Sequence, residues 1–112
     1  MQIIFNSTKM EKTCNDSRKS QQRFGSIRAK ILRRRLDELR AADTLENMRP
    51  IVSARCHELS QNRKGQLSVD LDHPYRLLFV PEHDPIPIKP DGGLDWGKVT
   101  AIRVLDVEDT HE

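Results

Sequence analysis

The hydrophobic positions change period partway along the chain. Gln2-Ile3-Ile4-Phe5 is a short apolar run that predicts an opening strand. Lys9 to Phe24 reads as a weakly amphipathic, polar helix with Met10, Cys14 and Phe24 on its inner side. From Ser26 to Ala42 the helical period strengthens. Ile27, Ile31, Leu32, Leu36 and Leu39 form an apolar arc, and Lys30, Arg33, Arg34, Asp37 and Arg40 lie largely away from it. Gly25-Ser26 supplies a break and an N-cap before this helix. Arg28 and Arg35 project into the arc, so their aliphatic stems are expected to cover the core while the guanidinium groups reach its edge. Asp43-Thr44-Leu45-Glu46 has the residue types of a capping box, opening a short helix that Pro50 ends.

Beyond residue 55 the period becomes two. A short strand around His57 to Leu59 leads through the turn Asn62-Arg63-Lys64-Gly65 into an alternation of Leu67, Val69 and Leu71 with Gln66, Ser68 and Asp70. Asp72-His73-Pro74 turns the chain into a strand from Tyr75 to Val80, and a last strand runs from Lys98 to Val107. Residues 81–97 hold four prolines and three glycines, the composition of a stiff surface loop or of a segment that gates a substrate. Helices first and strands afterwards predict one α+β domain over residues 1–112. Its N-terminal helices pack on one face of a small antiparallel sheet of three to five strands.

With 36% hydrophobic and 32% charged residues the chain is polar, but its apolar residues are periodic, as in a folded domain and unlike a disordered one. No apolar run approaches the roughly 18 residues that would span a bilayer, and the N-terminus lacks the basic start and long apolar stretch of a signal peptide, so the expected compartment is the cytoplasm. Cys14 and Cys56 have no Cys-x-x-Cys spacing and are expected as reduced thiols, with no metal site and no cofactor motif. The net charge of +2 conceals an asymmetry. Residues 1–65 carry 15 Lys/Arg against 7 Asp/Glu, and residues 66–112 carry 4 against 10. The stretch from Arg18 to Arg35 has eight basic residues and no acidic one, which makes the first half the candidate polyanion surface.

The second half resembles the RelE/ParE superfamily of toxin-antitoxin systems, and most closely its HigB-like "killer protein" branch. The segments that carry the resemblance are Cys56-His57-Glu58-Leu59 running into Asn62-Arg63-Lys64-Gly65-Gln66-Leu67-Ser68, then Pro74-Tyr75-Arg76-Leu77-Leu78-Phe79, then Glu108-Asp109-Thr110-His111. In HigB-like proteins the corresponding pattern is a His-x-Leu, a Gly-Asp-Arg-x-Gly turn, a Trp/Tyr-Arg-x-x-Phe strand and a closing Glu-Asp-Tyr-His. The resemblance implies a RelE-like fold and a toxin that cleaves messenger RNA in the decoding site of the ribosome, without a metal. It also implies a cognate antitoxin of the HigA-like, helix-turn-helix kind. His57, Arg76, Asp109 and His111 match the family's functional positions, and Thr110 stands where the family has an aromatic residue.

The chemistry fits those residue types. RNA cleavage needs a base for the 2′-hydroxyl proton, cations for the charge on the phosphorane and an acid for the departing 5′-oxygen. His57, Arg76 and His111 with Asp109 supply these if the sheet brings their segments together, and Arg33, Arg34, Arg63 and Lys64 are the candidate phosphate contacts. Strand alternation places Tyr75 on the face opposite Arg76. Blander readings stay open: His57 as a hydrogen-bonded half-buried residue, Arg76 as an ion-pair partner, Asp109 and His111 as a tail. Two other functions are also compatible, a ParE-like gyrase inhibitor without nuclease chemistry and a degenerate antitoxin- or RNA-binding module, the latter favoured by Thr110.

Overall fold

A computed structural model describes residues 1–110 and orders them as strand β1 (Gln2–Phe5), helices α1 (Thr8–Asn15), α2 (Ser17–Phe24) and α3 (Ser26–Ala41), then strands β2 (His57–Glu58), β3 (Leu67–Asp70), β4 (Tyr75–Pro81) and β5 (Ala101–Asp109). The fold is α+β, with three helices against a five-stranded sheet of order β1-β5-β4-β3-β2. The sheet is mixed where the sequence predicts an antiparallel one. β2 to β5 form the antiparallel part, while β1 adds to β5 in parallel, with Ile3 beside Ile102 and Phe5 beside Val104. A strand that leads into three helices has crossed the whole domain before its partner arrives, so no local turn forces an antiparallel pairing.

The expected helix from Lys9 to Phe24 is two helices. Asp16 takes extended backbone angles, and its carboxylate accepts hydrogen bonds from the Arg18 and Lys19 amides, so the residue that ends α1 caps α2. Gly25 alone joins α2 to α3 at φ 82°, a conformation that glycine adopts without steric cost, and Ser26 is the first helical residue rather than the cap. The capping box closes one residue later than expected, between Thr44 and Asn47, on a 3₁₀ turn over Leu45–Met48. The last strand starts at Ala101 and continues to Asp109, two residues beyond its predicted end.

α3 seats the helical layer. Leu32, Leu36 and Leu39 are buried against Leu67, Val69, Leu77, Phe79, Ile102 and Val104, the helix-facing phase of β3, β4 and β5. Ile27, expected in this arc, is 70% exposed because it sits on the first turn of α3, short of the core. Both arginines of the arc behave as anchors. Arg28 donates two hydrogen bonds to Asp72 at 2.9 and 3.1 Å and stacks on Tyr75, tying the start of α3 to the β3–β4 turn. Arg35, 4% exposed, donates from Nε to the Asp70 carbonyl at 2.7 Å, from Nη2 to the Ser53 carbonyl at 2.9 Å and from Nη1 to Glu38 at 3.0 Å. The segment before β5 contributes Trp96, which is buried, donates to Glu58 at 3.0 Å and lies under the Arg49 guanidinium. Residues 81–97 are therefore no simple surface loop, since their far end is part of the core. No helix is long and apolar enough to cross a membrane among the described residues.

Replacing the buried Arg35 by Leu strands two part-buried carbonyls and the Glu38 carboxylate. Urea denaturation should show a loss of about 3 kcal/mol, as for other broken buried charge networks. Arg34→Leu, on the exposed side of the same helix, should stay within about 0.5 kcal/mol of the parent.

Candidate functional site on the open face of the sheet

The other phase of the sheet points away from the helices, and it is polar. His57 pairs with Ser68 and Ser68 with Leu78, so these three side chains share that face. Two residues before Ser68 and Leu78 respectively, Gln66 and Arg76 share it too, and Arg76 is flanked by Asp70 on β3 and Glu108 on β5. Thr110 continues the same alternation, with its amide donating to the Pro74 carbonyl at 3.4 Å. This face nonetheless lies largely away from water: Ser68 is fully buried, Arg76 is 8% exposed and Thr110 5%. Part of the cover is the β2–β3 loop. Its Arg63 donates to Glu108 at 2.6 Å, and to reach β5 it must cross β4, about 10 Å of sheet.

Five buried polar side-chain atoms lack a hydrogen-bond partner among the described residues: His57 Nε2, Gln66 Oε1, Ser68 Oγ, Arg76 Nη1 and Thr110 Oγ1. His57, Ser68 and Arg76 belong to this one face by strand register, and Gln66 and Thr110, each one residue outside a strand, continue the same alternation. Each such group costs about 1–3 kcal/mol when left unpaired, and folded proteins pair nearly all of them, so their concentration in one place marks a site rather than a core.

The electrostatics are organised by Asp70. Its carboxylate accepts from Arg55 Nε and Nη2 at 2.9 and 3.2 Å and lies 3.5 Å from Arg76 Nε, which holds Arg76 while Nη1 stays unpartnered. His57 Nδ1 is 2.8 Å from the Arg55 carbonyl. A carbonyl only accepts, so Nδ1 carries the hydrogen, and in the neutral ring Nε2 is then the lone-pair nitrogen. The imidazole is thereby set as a base. Beside it the Cys56 thiol is inert, because burial pushes it up to about 12 against the opposing pull of Arg49.

The sequence-derived residues are distributed unequally. His57 and Arg76 share the open face two strands apart, with Ser68 on the strand between them. Asp109 does not join them. It pairs with Tyr75, on the helix-facing phase, and Glu108 takes the place beside Arg76. Tyr75 lies opposite Arg76, as alternation predicts. His111 lies outside the described residues. Arg63 belongs to the site but is already paired, Lys64 is exposed on the same loop, and Arg33 and Arg34 are exposed on α3, on the helical side of the molecule. Arg55, Ser68, Asp70 and Glu108 were not singled out from sequence. Ser68 and Asp70 are the polar phase of a period-two strand, which reads as a solvated face. No protein-family model matches the chain, and no curated protein matches it significantly.

The hydrogen bond to Arg55 is directly measurable. Long-range proton–nitrogen spectra at pH 8 should show His57 as the Nδ1–H tautomer. A signal pattern of the Nε2–H form would mean that the ring does not donate to the Arg55 carbonyl.

Proposed function

We propose that the chain is a toxin of the type II toxin-antitoxin kind that cleaves messenger RNA on the ribosome, with the open sheet face as its active site. The observation that carries this reading is the pairing of a base with free Nε2 and a buried guanidinium with free Nη1 on one face. His57 Nε2 takes the 2′-hydroxyl proton, the 2′-oxygen attacks phosphorus, and the bond to the 5′-oxygen breaks, leaving a 2′,3′-cyclic phosphate and a 5′-hydroxyl. Arg76 stabilises the phosphorane charge. The departing oxygen needs an acid, for which the resemblance to HigB-like toxins implies His111. A cognate antitoxin would hold the protein inactive.

The helical layer supplies affinity. Lys9, Lys12, Arg18, Lys19, Lys30, Arg33 and Arg34 have no ion-pair partner among the described residues. On this reading they contact ribosomal RNA without regard to sequence. A second reading, a binding module that no longer cleaves, is favoured by Thr110, whose side chain is buried where the resembling family carries an aromatic ring.

On programmed ribosomes, His57→Ala and Arg76→Ala should each lower the single-turnover cleavage rate by about a hundredfold or more. Growth arrest with intact messages and inhibited gyrase would reject the nuclease and favour the ParE-like alternative. Intact messages together with tight ribosome binding would favour the module.

Arg33→Ala with Arg34→Ala should weaken ribosome binding. Their removal should reduce the slope of log affinity against log salt by about 1.5, the share of two phosphate contacts. An unchanged slope would return α3 to an ordinary solvated face.

A further inference from the structure

Ser68 is the one fully buried hydroxyl of the site, with no exposed surface and no hydrogen-bond partner among the described residues. A serine in the middle of β3 has ways to avoid this condition. Its hydroxyl rotates freely and usually finds a nearby carbonyl, yet the neighbours on its face are Leu78 on one side and His57 on the other, with Arg76 on the diagonal. Directly opposed residues in such a ladder stand about 5 Å apart at Cβ, and diagonal ones about 7–8 Å. Three unpartnered groups of different character therefore line one stretch of this face across β2, β3 and β4, with Ser68 on the middle strand: a lone pair on His57 Nε2, a hydroxyl on Ser68 and a cationic N–H on Arg76.

We propose that these three groups form a single binding site for a protonated tetrahedral oxyanion, with Ser68 as a substrate-binding residue that the sequence does not announce. With the covering β2–β3 loop displaced, Arg76 Nη1 and Ser68 Oγ donate to two oxygens of the anion, and His57 Nε2 accepts from a hydroxyl carried by it or next to it. In RNA that hydroxyl is the 2′-OH beside the scissile phosphodiester. This use of the site rests on the nuclease reading, but the site itself does not, because inorganic hydrogen phosphate offers the same combination. It carries a P–OH donor together with acceptor oxygens.

The arrangement discriminates between anions of equal charge. At pH 8 phosphate is mainly a dianion with one hydroxyl, whereas sulfate is a dianion with none. Sulfate satisfies Ser68 and Arg76 and leaves Nε2 facing an oxygen lone pair. The Arg55–Asp70 and Arg63–Glu108 ion pairs already engage the other cations of this face, so nonspecific attraction is reduced and the three-point pattern decides.

The test is calorimetric titration of the full chain with inorganic phosphate and, separately, sulfate at pH 8 and constant ionic strength, together with thermal melts. The parent should bind phosphate at least tenfold more tightly than sulfate. Ser68→Ala should weaken phosphate about tenfold or more, the worth of a hydrogen bond to a charged group. The free Ser68→Ala protein should melt at or above the parent's temperature, because the variant removes a buried hydroxyl that nothing satisfies. A clearly lower melting temperature would show that Ser68 has a partner in the free protein, and would overturn the proposal. So would equal affinities for phosphate and sulfate, or phosphate binding untouched by Ser68→Ala. His57→Phe, which keeps a planar ring without an acceptor nitrogen, should abolish the preference for phosphate over sulfate and keep sulfate affinity near the parent value, and a retained preference would overturn the role of Nε2. Phosphate binding with the expected selectivity but no RNA cleavage would leave this site standing and remove the nuclease reading alone.

Discussion

Asp70 is where the two sides of the domain are joined. Its carbonyl accepts from Arg35, which comes from the helical layer, and its carboxylate accepts from Arg55 and lies against Arg76 on the open face. A guanidinium as buried as Arg35 persists only where its charge and donors are matched, so α3 can seat on the sheet in one register only. The same residue then sets where Arg76 presents its free edge. Packing of the apolar arc on β3 and β4 and orientation of the site cation are thus one constraint, and disturbing the helical side is expected to be felt on the face that lies away from it.

The sheet is covered on both faces by opposite means. On one, Leu32, Leu36 and Leu39 meet Leu67, Val69 and Phe79, an ordinary apolar interface whose stability grows with area removed from water. On the other, a loop reaches across β4 and holds on through the Arg63–Glu108 pair, over side chains that are polar and incompletely satisfied. A half-exposed ion pair contributes little to stability, usually under about 1 kcal/mol, and so is easily exchanged. The domain therefore draws its stability from the helical side and accepts unpaired polar groups on the open side, the division expected when one face is built for packing and the other for a ligand.

Local pattern was informative wherever local physics decided the outcome. The helical arc of α3, the alternation of β3 and the apolar run of β4 were all legible, because burial against one layer imposes its period on the sequence. The parallel placement of β1 beside β5 was not, since it depends on the path of three intervening helices. Asp16 interrupts an otherwise continuous helical stretch by offering its carboxylate to two amides, a competition that periodicity does not register. At the site, His57 and Arg76 were legible from their chemistry. Ser68, Asp70 and Glu108 were hidden, because a polar phase normally means solvent, and here a crossing loop buries it. Asp109 was misplaced for a related reason: with β5 expected to stop at Val107 the residue had no strand parity, and the two additional residues of strand assign it to the side of Tyr75.

The distribution of paired and unpaired cations separates attraction from chemistry. On the open face Arg55 and Arg63 are committed to Asp70 and Glu108 and Arg76 is held by Asp70 at Nε, so an arriving phosphate meets only the free Nη1 edge of Arg76. Such a site attracts weakly at a distance and discriminates at contact. The helical layer is the reverse. Its lysines and arginines between residues 9 and 34 are largely uncommitted and exposed, and their field extends a Debye length, about 8 Å, into physiological solution. If the partner is a large folded RNA, as the proposed function requires, this layer brings the polyanion in and the open face chooses the one phosphate with a hydroxyl beside it. Selectivity then arises from the weakness of the open face toward anions in general, and a variant that freed its cations, such as Glu108→Gln, would bind phosphates more tightly but distinguish among them less well.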